Sequence, residues 1–342
     1  TDMNDEYKPL PSSIIAEGID CFGVAGDRGD VAMVGYGAAR YALASGNRNE
    51  AEKLWPLIEW CLEYCHRQLN ADGVVKSDSD ELENRFPAGK ANLCTSSLYY
   101  DALISAAYLG KALKKEHRQI KSYQDRAAEL YKNIDAYFAR NVEGYDTYRY
   151  YDGNTVLRSW ICIPLTMGIY DQAKGTVEAL FSDKLWMENG LLTQSGTSTY
   201  WDRSTLYAFR GAYSCGARDI ATEYLDKYSA TRLLGDHVPY AVEAWPEGNQ
   251  RHLSTESALY CRIMTEGLFG IRPIALDAFM MTPQLPESWN TMSLKRICAF
   301  GSIFDIEVKR DKDDKLLVLI KKDHKIVKRS KITNGKTIEV RI

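Results

Sequence analysis

Two stretches of this chain concentrate carboxylates beside residues able to tune them. The first, 78-DSDELENRFPAGKANL-93, carries Asp78, Asp80, Glu81 and Glu83 ahead of Arg85 and Phe86. The second, 242-VEAWPEGNQRH-252, carries Glu243 and Glu247 around Trp245, then Arg251 and His252. Acids in two different loops suit a reaction in which one carboxyl donates a proton to a leaving oxygen and the other activates water or attacks carbon. Glu83 and Glu243 are the leading acid and base, with Glu81 and Glu247 their substitutes. Arg85 and Arg251 are positioned in sequence to orient these groups or shift their pKa. Asp78 and Asp80 read as ordinary turn residues. Glu256 reads as charge favoured at a helix N-terminus.

Two more loops repeat the mixture of aromatics and polar groups. Loop 140–154 holds Tyr145, Tyr148, Arg149, Tyr150, Tyr151, Asp152 and Asn154, followed by Arg158 and Trp160. Loop 182–203 runs into Tyr200-Trp201-Asp202-Arg203-Ser204, and 229–253 adds Arg232, Asp236, His237 and Tyr240. Sugars offer apolar ring faces edged with hydroxyls, so their sites combine flat aromatics with carboxylates, amides and guanidiniums. Four loops of this composition fit a carbohydrate cleft. Its binding candidates are Arg85, Tyr150, Trp160, Trp201, Asp202, Arg203, His237, Trp245, Arg251 and His252. The plainer alternative makes the three tryptophans core anchors and the two histidines hydrogen-bonded structural residues.

Composition narrows the rest. The chain has 342 residues, a net charge of −3 and 26% charged residues, with no basic run suited to nucleic acid. No apolar run has the length of a membrane span. The eight cysteines contain no CxxC pair, which argues against a zinc site. There is no GxGxxG, no phosphate-binding loop and no calcium loop, so neither cofactor nor metal is expected. The chain starts at Thr1 with nothing like a signal peptide beside it, which reads as a processed or truncated chain.

Helical periodicity dominates to about residue 270 and predicts helices over 30–45, 49–69, 92–113, 118–139, 155–168, 171–181, 204–216, 217–228 and 254–268. Asn92 or Thr95, Ser204 and Ser254 are the expected caps. Short links alternate with the long loops 70–91, 140–154, 182–203 and 229–253, a pattern of helical hairpins with a binding face at one end. Beyond 274 the pattern changes to strands over 291–298, 303–310, 315–321, 325–329 and 337–342, with 311-DKDD-314 and Asn334-Gly335 as hairpin turns.

These segments together resemble the C-terminal part of six-hairpin, or (α/α)6-barrel, glycoside hydrolases, especially glucosidase and glycogen-debranching-like members. Glu83-Asn84-Arg85-Phe86 before a helix with Tyr99, Ala102 and Leu103 resembles the acid-bearing loop. Tyr200-Trp201-Asp202-Arg203-Ser204 resembles the aromatic loop, although its usual arginine-or-aspartate, glycine, proline run is replaced by Asp202-Arg203-Ser204-Thr205. Glu243 to Gly248, before a helix with Ser257 to Tyr260, resembles the base-bearing loop. Pro283-Gln284-Leu285-Pro286 through Ile306 resembles the strand module that comes after the barrel. If the last helix is the twelfth of a barrel, loop 70–91 joins helices five and six, where the resemblance puts the acid. It then implies that about three helices and an upstream β-domain belong to the same longer protein.

The expected fold is mainly α, an (α/α)6 toroid of helical hairpins lacking its first helices, over residues 1–273. A small antiparallel β-module occupies 274–342. The expected function is an exo-acting, inverting glycosidase on an oligosaccharide or glycoconjugate, with carboxyls roughly 6.5–9.5 Å apart. Glycan degradation favours a periplasmic or secreted protein. A polysaccharide lyase using Tyr240, His237 and Arg232 on the same toroid is the alternative enzyme. A non-catalytic carbohydrate-binding fragment is the third reading.

Overall fold

The computed structural model describes residue 7 and residues 15–16, 19–20, 29–77, 79–80, 86–234, 244–245 and 254–342. Contacts divide the chain into two compact units: Thr1–Ala42 with Arg48–Thr176, and Leu43–Asn47 with Val177–Ile342.

The first unit begins with the short ladder β1 (Ile15–Ala16) and β2 (Ile19–Asp20). Its helices are α1 (Asp30–Ser45, whose last turn enters the second unit), α2 (Arg48–Arg67), α3 (Leu93–Leu113), α4 (His117–Phe138) and the short α5 (Ile163–Met167). Of the 21 residues of α3, 16 are buried, because α2, α4 and α5 all pack against it and leave it little open surface. By contrast α4 buries one stripe, Tyr123, Ala127, Leu130, Ile134 and Phe138, at the three- and four-residue spacing of a single helix face. Asn92 caps α3, its side chain accepting from the Thr95 amide, and Lys114 ends it in the left-handed conformation at φ 61°. Inside α3 the buried Asp101 carboxylate takes both arms of Arg40, at 3.0 and 3.1 Å. The hairpin β3 (Ala139–Val142) and β4 (Tyr145–Tyr148) occupies a stretch that reads in the sequence as a loop, and a 3-10 turn at Ser159–Cys162 leads into α5.

The chain crosses to the second unit inside α6 (Ala173–Leu180). Short strands β5 (Trp186–Met187), β6 (Gly190–Leu191) and β7 (Tyr200–Trp201) precede α7 (Asp202–Ser214). The helix α7 starts two residues before the expected Ser204 cap. Ser204 instead donates back to the Trp201 carbonyl at 3.0 Å. Next come α8 (Arg218–Tyr228), β8 (Ala244–Trp245) and α9 (Ser254–Arg262). Both α8 and α9 widen into π-turns, Ser229–Leu233 and Ile263–Leu268, closed by bonds from Leu234 N to Ser229 O and from Phe269 N to Met264 O. Phe209 of α7 packs among Phe181, Trp186 and Tyr228.

The strand module forms two antiparallel sheets. One has the order β15 (Ile338–Arg341), β10 (Ala278–Met281), β9 (Arg272–Ala275). The other runs in sequence through β11 (Thr291–Ala299), β12 (Ser302–Arg310), β13 (Leu316–Lys322) and β14 (Lys325–Ile332). Phe279 stacks on Phe300 and Phe304, at 5.0 and 5.6 Å between ring centres, joining the sheets through one aromatic core. The turn at Asp311–Asp314 is a hairpin as expected. Asn334-Gly335 is not: the strand after it leaves β14 and pairs with β10. The β11–β12 turn lies against the C-terminal end of α1, with Phe300 N donating to Ala44 O at 2.6 Å. At that contact Gly46 has φ +70°, and a Cβ there would fall 2.2 Å from Gly301 N.

Candidate functional site

In the first unit the acid-bearing stretch is tied down at both ends. Its arms meet through Ser77 N to Lys90 O at 2.9 Å, and Asn92 Nδ2 donates to Ser79 O at 3.1 Å. Asp80 is 1% exposed, and its Oδ2 accepts from Arg158 Nη2 at 3.0 Å. The same guanidinium donates through Nη1 to Pro87 O at 3.1 Å. It also lies over the rings of Tyr150 and Phe86, at 4.5 and 5.2 Å. Arg158 therefore grips residue 80 on one side of the segment 81–85 and residues 86–87 on the other. Asp80 is a buried ion-pair partner, which corrects its reading as a turn residue. Glu81, Glu83 and Arg85 lie outside the described residues, as does Asp78.

The second unit repeats the device. Asp202, at the start of α7, is fully buried and its Oδ2 accepts from Arg232 Nη2 at 3.0 Å. Arg232 Nη1 donates to Asn189 O at 3.1 Å, so one guanidinium again joins a carboxylate to a distant backbone carbonyl. Burial, and then the Asp202 charge, push the Tyr228 hydroxyl far above its ordinary pKa. Beside this pair, Arg203 Nε donates to Glu256 Oε1 at 2.7 Å. Glu256 is fully buried and its Oε2 has no hydrogen-bond partner among the described residues. Backbone pairing of β7 with β8, Tyr200 opposite Trp245 and Trp201 opposite Ala244, joins the aromatic loop to the stretch that carries Glu243 and Glu247 in sequence. Glu243, Glu247, His237, Arg251 and His252 lie outside the described residues, and only the backbone of Trp245 is described.

The described candidates divide by burial. Tyr150, Trp160, Trp201 and Asp202 are 0–1% exposed and packed among protein atoms. Arg203 keeps 18% of its side chain exposed. A carboxylate that accepts from a buried guanidinium at 3.0 Å has that oxygen committed to the pair, and such a pair fixes loop geometry. Sequence reasoning missed Asp80, named Arg158 only as a residue after loop 140–154, and gave Arg232 a role only in the lyase alternative. Each arginine lies some 30 to 78 residues from its partner, and nothing local marks the pairing. Arg232, the cation of the lyase alternative, is committed to Asp202. Its partners there, His237 and Tyr240, lie outside the described residues. Among the described residues no three His, Cys, Asp or Glu side chains gather as a metal site, and no helix is long and apolar enough to cross a membrane.

No family profile matches the chain, and no curated protein matches it. Solved structures do. A sialidase superposes with a TM-score of 0.68 at 14% identity, over 92% of this chain and 33% of that one. A GH78 family rhamnosidase of Bacillus sp. GL1 superposes with a TM-score of 0.53 at 13% identity, over 83% of this chain and 29% of that one. The chain thus spans about a third of the length of the solved chains it resembles. At such identity the likeness is one of fold. The fold class is mainly α, of the helical-hairpin toroid type, with a small C-terminal antiparallel β-module. The solved structures that share it are glycoside hydrolases.

Proposed function

We propose that this chain is part of a glycoside hydrolase acting on an oligosaccharide or glycoconjugate, exo-acting and inverting. Residues 1–273 form its catalytic helical domain and 274–342 its β-module. The observation that carries the reading is the pair of buried aspartate–arginine clamps. One foots the segment containing Glu81 and Glu83, and the other foots the helix that begins beside β8, the strand Glu243 precedes in sequence. Catalytic carboxyls need a fixed geometry, and loops held by buried charged hydrogen bonds supply it. The names of the structural neighbours, sialidase and rhamnosidase, support the same class.

In this mechanism Glu83 protonates the departing glycosidic oxygen, and Glu243 removes a proton from the water that attacks the anomeric carbon. Glu81 and Glu247 take these roles if either assignment moves. Arg85 and Arg251 act as charge neighbours, and Arg203, Trp245, His237 and His252 contact the sugar. Tyr150 and Trp160 in the first unit, and Trp201 and Asp202 in the second, are buried and steady their own loops. Substrate is the only partner the chemistry requires, with upstream helices and a β-domain of the same longer protein completing the enzyme.

The test is a panel of aryl α-glucosides, α-rhamnosides and sialosides assayed with wild type, Glu83→Gln and Glu243→Gln. Each variant should fold normally and lose most turnover, about a hundredfold or more. Full activity in both variants would sink the assignment. The anomer first released, read by NMR, distinguishes inversion from retention.

A further inference from the structure

A concave surface within the second unit is lined by none of the candidate catalytic residues. It is a cleft of about 640 Å³ between α8, the end of α9 and the segment 286–289 that opens the β-module. Three aromatic side chains line it: Tyr213, Tyr260 and Trp289. Tyr213 is buried, whereas Trp289 leaves 39% of its surface open. An indole presented at the rim of a concave surface is a stacking face rather than core packing.

The rim is prebuilt. Trp289 N donates to Pro286 O at 3.1 Å, and Arg310 Nη2 donates to the same carbonyl at 2.9 Å. Glu287 N donates to Asp219 Oδ1 at 2.8 Å, tying this segment to α8. Tyr260 is fixed through its hydroxyl to Ser229 at 2.8 Å, and Tyr213 through its own to Thr222 at 2.7 Å. The aromatic faces therefore need little ordering when a ligand arrives. Around them stand hydrogen-bond acceptors, Asp226 and Glu287 among them. Of the four carboxylates in the lining, Glu223 and Asp219 pair with Lys227 and Arg218 at its edge, and the lining itself holds no lysine or arginine among the described residues. Flat faces edged with acceptors suit a ring bearing hydroxyl donors, and the sign of the charge disfavours an acidic ring.

We propose that this cleft is an accessory, non-catalytic binding site for a neutral oligosaccharide, stacked on Trp289 and hydrogen-bonded by Asp226 and Glu287. The ligand class rests on the glycosidase reading above; the site itself rests on the cleft. It lets the protein hold a glycan through residues none of which is a candidate acid or base.

The experiment is calorimetric titration of the full chain with cellotetraose, maltotetraose and mannotetraose, and with trigalacturonate and sialyllactose as acidic comparators. Wild type, Trp289→Ala and Asp226→Asn are compared, and hydrolysis of an aryl glycoside is measured in parallel. At least one neutral tetrasaccharide should bind. Trp289→Ala should weaken that binding about tenfold or more, and Asp226→Asn by several-fold, with hydrolysis unchanged. The proposal is overturned if no neutral saccharide binds, if Trp289→Ala binds as wild type does, or if the acidic sugars bind equally well. Hydrolysis without binding here removes only this site. Trp289-dependent binding without hydrolysis removes only the proposed function.

Discussion

Arg158 offers the sharpest test of the clamp. Its guanidinium and the Asp80 carboxylate are 1% and 2% exposed and 3.0 Å apart. At an effective dielectric of about 20, that separation corresponds to an attraction of roughly 5 kcal/mol, offset by the cost of drying both ions. Arg158→Met removes the cation, its contact with Tyr150 and its bond to Pro87 O. It leaves Asp80 buried without the Arg158 guanidinium, so unit-one stability should fall by about 3–5 kcal/mol. Arg158→Lys keeps the charge and loses the fork that reaches both partners, so it should recover only part of the loss. Asp80→Leu combined with Arg158→Met replaces both ions by apolar groups and should return to within about 1–2 kcal/mol of wild type. The assay is urea unfolding monitored by tryptophan fluorescence and circular dichroism, fitted with a common slope. In the double-mutant cycle the coupling should be at least about 3 kcal/mol. A loss below about 1 kcal/mol for Arg158→Met, or a double variant as damaged as the sum of the singles, would refute the clamp.

Packing sets two further outcomes. Burial raises the Tyr123 and Tyr213 hydroxyls to about 12. The folded state thus holds these protons more tightly than the unfolded chain. Stability from this source is complete below about pH 10 and is lost as pH rises toward 12, which absorbance at 295 nm alongside circular dichroism will track. Ionisation of all tyrosines near pH 10, with the fold retained, would contradict the burial. Gly46→Ala puts a Cβ 2.2 Å from Gly301 N at a positive φ. It should lower the urea midpoint by an amount equivalent to roughly 1–3 kcal/mol; an unchanged midpoint would remove the close approach.

Much of the helical frame is legible in the sequence because periodicity reports burial directly. The stripe of α4 is written in its residues, and α1, α2 and α3 start and stop within two residues of their expected limits. The Asn92 cap is legible for the same local reason. The features that the sequence hides are long-range. Asp80 looks like turn chemistry until Arg158 is seen against it, 78 residues on. Strands as short as β7 and β8 carry no alternation, and their pairing joins segments more than 40 residues apart. Asn334-Gly335 has the composition of a hairpin, yet the three-stranded sheet offers the last strand a partner in β10. The accessory cleft is equally hidden, since its aromatic faces come from three separate segments.

The π-turn after α8 has a consequence for comparing this chain with others. A turn closed from residue 234 to residue 229 accommodates one residue more than an α-turn would. Within it the residues after the extra one are rotated by about 100° relative to a continuous α-helix, and Arg232 sits in that wider turn. A homologous helix without the extra residue would carry the equivalent arginine one position earlier. Alignments across this segment must therefore open a one-residue gap between Tyr228 and Arg232, or the arginine that holds Asp202 will be matched to the wrong column.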